Sequence, residues 1–112
     1  MKNLRENIGF IGAGNMATAL ISGLINSDQN ASKIIASSPE QEHLERLSQD
    51  FGIKTTNNNL EVLDIADIVI LAVKPNIVQA VIDEVKDVAT SKDILIISIA
   101  AGVKIEKIES QL

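Results

Sequence analysis

The sequence contains no cysteine, no tryptophan and no tyrosine, and Phe10 and Phe51 are its only aromatic residues. Without cysteine there are no disulfides and no thiolate metal ligands. A single histidine, His43, cannot build a metal site of the usual kind, and its polar surroundings fit a solvated surface residue. Two phenylalanines provide no platform for base stacking. Ten Lys and Arg residues are outweighed by fifteen Asp and Glu, for a net charge of −5, and the basic residues form no run. That balance argues against a nucleic-acid partner and against an anionic membrane surface. No apolar stretch approaches the roughly 20 residues that span a bilayer. Lys2 and Arg5 precede an apolar segment as in a leader peptide, but Glu6, Asn7 and Asn15 interrupt the pattern. The expectation is a cytoplasmic protein.

What the chain does have is aliphatic residues. Hydrophobic residues make up 46% of 112, enough for one domain with a real core, and that core must come from Ile, Val, Leu and Ala. Such a palette suits a parallel sheet buried on both faces. The periodicities predict strands over residues 8–11, 33–37, 53–55, 67–73 and 93–98. Helices are predicted over 15–26, from Ser38-Pro39 to Phe51, within 57–63, from Pro75, and over 104–112. In the first helix Met16, Ala19, Leu20, Gly23 and Leu24 recur at helical spacing, with Gly23 taken as a point of close contact with the sheet. In the second, Ser38 is read as N-cap and Pro39 as the first helical residue. Gly52 is read as its stop. Alternation of strand and helix implies parallel pairing through right-handed crossovers.

Between the first strand and helix lies Gly12-Ala13-Gly14-Asn15-Met16-Ala17, a G-x-G-x-x-A turn. In that setting it is a dinucleotide-binding fingerprint. Gly12 permits the tight turn, Gly14 lets a pyrophosphate approach the backbone, and Ala17 allows close helix–strand packing. The helix start offers free N–H groups and the positive end of its dipole. The chain therefore reads as one α/β domain over residues 1–112. It is a Rossmann-type, doubly wound parallel sheet of strand order 3-2-1-4-5, with ligand at the carboxyl ends of the strands.

Three further turns fall at such ends. Ser37 and Ser38 stand where an acidic residue would select NAD, so hydroxyl donors at a helix start favour NADP(H), with NAD(H) as the alternative. Ala72-Val73-Lys74-Pro75 is either a wall of the nicotinamide-ribose pocket, with Lys74 as a cation, or a solvated loop ahead of a helix-starting proline. Ser98-Ile99-Ala100-Ala101-Gly102 either leaves room for a nicotinamide ring or is only a compact turn. The carboxylates Asp64, Asp67, Asp83, Glu84 and Asp87 read as helix ends and solvated faces. They form no general acid/base pair, and no catalytic residue is assigned.

These segments together resemble pyrroline-5-carboxylate reductase. The resemblance rests on residues 8–17, on Ala36-Ser37-Ser38-Pro39, on Ala72-Val73-Lys74-Pro75 and on Ser98 to Val103, in that family's order and spacing. It implies reduction of 1-pyrroline-5-carboxylate to L-proline with NADPH or NADH, the last step of proline biosynthesis. Carried over by position, Ile11, Gly12, Ala13, Gly14, Asn15 and Met16 would cradle the pyrophosphate. Ser38 would approach the adenosine ribose or its 2′-phosphate, with Asn59 near the same phosphate. Ala72, Val73, Lys74 and Pro75 would line the nicotinamide side, and Ala101 and Gly102 the ring. The family continues into a helical domain that forms the homo-oligomer and most of the substrate site. This chain is therefore expected to hold the cofactor site, to bind NADP(H) weakly, and to turn over poorly or not at all by itself. The alternatives are a related imine or β-hydroxyacid reductase, or a stand-alone NAD(P)-sensing module.

Overall fold

The computed structural model describes residues 7–99. The elements run β1 (Ile8–Ile11), α1 (Asn15–Asn26), β2 (Ile34–Ser37), α2 (Gln41–Phe51), β3 (Lys54–Thr56), α3 (Asn59–Ile65), β4 (Ile68–Leu71), α4 (Pro75–Lys92) and β5 (Leu95–Ser98). A short 3₁₀ turn at Ala31–Lys33 leads into β2. The strands form one sheet in the order β3-β2-β1-β4-β5, and every pairing is parallel. This is the doubly wound arrangement predicted above. The predicted helix over 104–112 lies outside the described residues.

Alternation along the strands divides the core into two layers. Ile8 and Phe10 of β1 and Ile34 and Ala36 of β2 point to the side where Ala17 and Ile21 of α1 and Leu44 and Leu47 of α2 are buried. Ile11, Ile35, Val69 and Leu71 point to the other side, against Val62 and Leu63 of α3 and Val78, Val81, Ile82 and Val85 of α4. Burial on both faces explains the near-continuous apolar strands. Gly9 is the exception that brings the layers close. A Cβ there would run into Val62 and would lie 2.9 Å from the Ala66 Cβ, so α3 seats directly on the backbone of β1.

The structure moves several predicted boundaries and one predicted face. Strand β5 begins at Leu95 rather than at residue 93, because Asp93 takes a left-handed conformation (φ 56°) that closes α4. Strand β4 ends at Leu71, since the chain turns at Val73 after one further ladder bond from Ala72 N–H. In α1 the buried residues are Ala17 and Ile21, with Leu24 and Ile25 packed against them. Met16 is 58% exposed and Leu20 38%. Gly23 is exposed as well, and a Cβ added to it meets nothing within 4 Å, so it mediates no close contact with the sheet. Gly23→Ala is therefore expected to stabilise the chain by about 0.5–1 kcal/mol, the usual helix-interior difference. A thermal melt should rise by a few degrees, and a fall would mean that Gly23 has a packing role after all.

Candidate functional site

The site is built by the register of the sheet. Thr56, Ser37, Ile11, Leu71 and Ser98 stand side by side across β3, β2, β1, β4 and β5. The residues just beyond them remain tied to their neighbours. Gly12 N–H donates to the Ser37 carbonyl at 2.9 Å, Ala72 N–H to Ile11 at 2.8 Å, Ser38 N–H to Thr56 at 3.2 Å and Ile99 N–H to Leu71 at 3.1 Å. The turns singled out in the sequence thus leave one common edge from fixed positions. That edge is the carboxyl end of a sheet whose strand order reverses at β1, where open α/β sheets bind ligands.

The glycine turn fits a pyrophosphate on two separate grounds. Gly12 has φ +108°, and a Cβ there would sit 2.5 Å from the Ala72 carbonyl oxygen. The β1–α1 and β4–α4 turns therefore touch backbone to backbone, which only glycine allows. Gly14 is the opposite case: a Cβ on it would meet nothing within 4 Å. Its surroundings are open, as close approach by a ligand requires. Gly14 also caps α1 without any side-chain hydrogen bond, and the first turn of α1 carries no acidic residue. The N–H groups of that turn are left for an anion. Asn15 and Met16 are exposed beside it, while Ala13 and Ala17 are buried beneath.

On the β2 side the structure separates two serines that the sequence treats as a pair. Ser37 is fully buried, and its hydroxyl donates to Asn59 Oδ1 at 2.6 Å. Ser38 is nearly buried, and its Oγ accepts the Glu40 N–H at 3.0 Å, which leaves its hydroxyl hydrogen unassigned. The sequence predicts Ser38 as N-cap and Pro39 as first helical residue of α2, but both lie before the helix. Ser38 is still paired to β3, so the helix starts later, at Gln41, with Glu40 as an extended N-cap residue. Glu40 also faces His43 Nε2 at 3.2 Å, a contact one helical turn apart at the surface of α2.

Asn59 is the first residue of α3, a helix capped by the Asn58 side chain on Leu60 N–H at 3.0 Å. Its Nδ2 donates to Glu84 Oε1 of α4 at 2.9 Å. Glu84 is thus no merely solvated face, as the sequence had it. No local pattern links residues 25 positions apart on different helices, so the sequence held no signal for this pair. On the far side of β1, Ala72 and Val73 are half-buried against the Gly12 turn. Pro75 opens α4 at its first position, as predicted, and Lys74 precedes it, exposed and without an ion pair among the described residues. Ala101 and Gly102 lie outside the described residues.

The arrangement combines an uncapped helix start, an open glycine, a serine hydroxyl with a hydrogen to donate and a lysine along one edge. It is equipped to hold an extended anionic dinucleotide. The comparisons with known proteins agree. Residues 7–102 match the family model described as NADP oxidoreductase, coenzyme F420-dependent. A pyrroline-5-carboxylate reductase of Vibrio alginolyticus is 38% identical over 107 residues, which cover 96% of this chain and 39% of that protein. A pyrroline-5-carboxylate reductase structure from Coxiella burnetii superimposes with a TM-score of 0.90 at 37% identity, over 97% of this chain and 40% of that one. The pyrroline carboxylate reductase of Plasmodium falciparum, solved with NADP bound, gives a TM-score of 0.79 at 27% identity over 98% of this chain and 39% of that one. The chain thus spans about two fifths of the length of these relatives. From its turns, its sheet and these matches, the chain belongs to the family of NADP oxidoreductases described as coenzyme F420-dependent, and within it resembles the pyrroline-5-carboxylate reductases.

Proposed function

We propose that this chain forms the NADP(H)-binding part of a pyrroline-5-carboxylate reductase, an enzyme that reduces 1-pyrroline-5-carboxylate to L-proline. The observation that carries the reading is the shared sheet edge. The glycine turn, Ser38 and the Ala72–Pro75 turn are held side by side, with open space at Gly14 and an uncapped α1 behind it. The relatives named above align with nearly the whole of this chain, 96–98% of it.

The residues fit the dinucleotide. Residues 11–16 would hold the pyrophosphate through backbone N–H groups, with the α1 dipole favouring its charge. The Ser38 hydroxyl would donate to the adenosine ribose or its 2′-phosphate, with Asn59 near the same group. Ala72 and Val73 would wall the nicotinamide side against water. Lys74 would place a cation at the mouth, where Pro75 fixes the direction of α4. The chemistry that the dinucleotide supplies when bound is hydride transfer to the electrophilic carbon of a cyclic imine. The chain's share is alignment and exclusion of water. The reading carries with it a cytoplasmic, homo-oligomeric enzyme. The substrate seat and oligomer contacts would then lie mainly in the portion of the relatives that this chain does not match.

Two measurements test it. Fluorescence titration with NADPH and NADH reads the cofactor seat directly, because the chain has no tryptophan or tyrosine to interfere. Ser38→Asp should weaken NADPH binding about tenfold or more through like-charge repulsion, while NADH changes by no more than about threefold. An equal loss for both would remove Ser38 from the phosphate seat. For the substrate, residues 1–112 can replace the matching portion of the Vibrio alginolyticus relative. The chimera is expected to oxidise NADPH only when 1-pyrroline-5-carboxylate is present; a folded, NADPH-binding chimera that does not turn over would sink the reading.

A further inference from the structure

We propose that Glu84, on α4, is a positioning residue for the adenosine end of the dinucleotide and acts through Asn59. The inference rests on the reading that places Asn59 beside the bound cofactor. Its starting point is the chain of hydrogen bonds Ser37 Oγ–Asn59 Oδ1 at 2.6 Å and Asn59 Nδ2–Glu84 Oε1 at 2.9 Å. These bonds join the tip of β2, the first residue of α3 and the middle of α4.

The direction of that chain follows from what each group can do. A carboxylate only accepts, so it must face the amide nitrogen of Asn59. The amide oxygen is then turned to Ser37, whose hydroxyl must donate. Ser37 alone would impose nothing, because a hydroxyl donates or accepts equally well. Glu84 is thus the one member that fixes which way the amide points. With the amide fixed, one Nδ2 hydrogen and one Oδ1 lone pair are left over in defined places. The Ser37 proton is spoken for, and Ser38 is left as the hydroxyl donor at the β2 tip.

A purely structural role for Glu84 is a poor fit. The Asn59–Glu84 bond is exposed to solvent, where such a bond adds little to stability. Helices α3 and α4 are already joined by a continuous apolar core and by Lys92, which reaches Asp64 and the Leu63 carbonyl. What Glu84 does and the core cannot do is choose the orientation of a rotatable amide.

The test compares Asn59→Ala, Glu84→Ala and Glu84→Gln with the wild-type chain. Each is titrated with NADPH and NADH by nicotinamide fluorescence, and each is melted. Asn59→Ala is expected to weaken NADPH binding. Glu84→Ala is expected to weaken it about three- to tenfold, the range set by one hydrogen bond, with an unchanged melting temperature. Glu84→Gln keeps the reach but can donate as well as accept, so it no longer fixes the amide and is expected to weaken binding at least about threefold with an unchanged melting temperature. If Glu84→Ala binds like wild type while Asn59→Ala does not, Glu84 positions nothing. The same holds if Glu84→Gln binds as tightly as wild type, or if Glu84→Ala lowers binding and melting together. If the wild-type chain shows no saturable binding, or Asn59→Ala changes nothing, the placement of Asn59 itself fails and the inference falls with it.

Discussion

Gly12→Ala is expected to cripple the fold and the site together, while Gly14→Ala, two residues on in the same turn, is expected to spare the fold. At Gly12 the added methyl must point into the Ala72 carbonyl, with its oxygen at 2.5 Å and its carbon at 2.8 Å, and the backbone must hold φ +108°. Both neighbours are main chain, so no rotamer change relieves the clash. Strain in that region and overpacking each cost about 1–3 kcal/mol. Against the usual margin of 5–15 kcal/mol, their sum is expected to lower the melting temperature by on the order of 10–25 °C. At Gly14 the backbone angles are φ −82° and ψ −160°, open to any residue, and no atom lies within 4 Å of the new methyl. The melt should stay within a few degrees, yet NADPH affinity should fall about tenfold or more, because the methyl fills the space a phosphate needs. Far-UV circular dichroism and nicotinamide fluorescence separate the two effects. A Gly12→Ala chain that melts like wild type would show that the contact between the two turns is not rigid.

Gly9→Ala should produce the second large effect, through packing and not through backbone conformation. A Cβ at Gly9 collides with Val62 and comes within 2.9 Å of Ala66, both on the side where α3 lies on β1. Overpacking of this kind costs about 1–3 kcal/mol. The helix must lift, and with it Asn59, whose amide then leaves Ser37. The melting temperature is expected to drop by about 5–15 °C, with weaker NADPH binding alongside. Val62→Ala, itself destabilising through a cavity, should rescue part of that loss in the double variant, since the two sites share one space. Strictly additive losses would show that the collision is relieved elsewhere.

The particular residues show which parts of this molecule were legible in one dimension. Strand–helix alternation was plain because each strand is an aliphatic run and each turn carries glycine, serine or proline. The glycine turn, Pro75 as helix starter and Gly52 as helix stop are local devices, and local devices are written in consecutive residues. The buried face of α1 differs from the one its sequence predicts for a physical reason. Its sequence, NMATALISGLIN, is apolar nearly all round, so two stripes at helical spacing compete. The direction in which the helix leaves Gly12 and Gly14 decides between them, and it turns Ala17 and Ile21 inward. Ser38 does not cap α2 because sheet pairing with Thr56 reaches past the end of β2 and delays the helix.

The sequence by itself determined the α/β class, the strand order implied by the dinucleotide turn, and the positions of the turns that matter. All of these follow from periodicity and from residues with special backbone freedom, which act over a few neighbours. The tertiary structure alone decided that the two serines have different jobs and that Gly12 is pressed against Ala72 while Gly14 stands open. It alone decided that Glu84 reaches Asn59 across 25 positions. Those facts depend on parallel register and on the seating of α3 and α4, which bring together groups that share no local pattern.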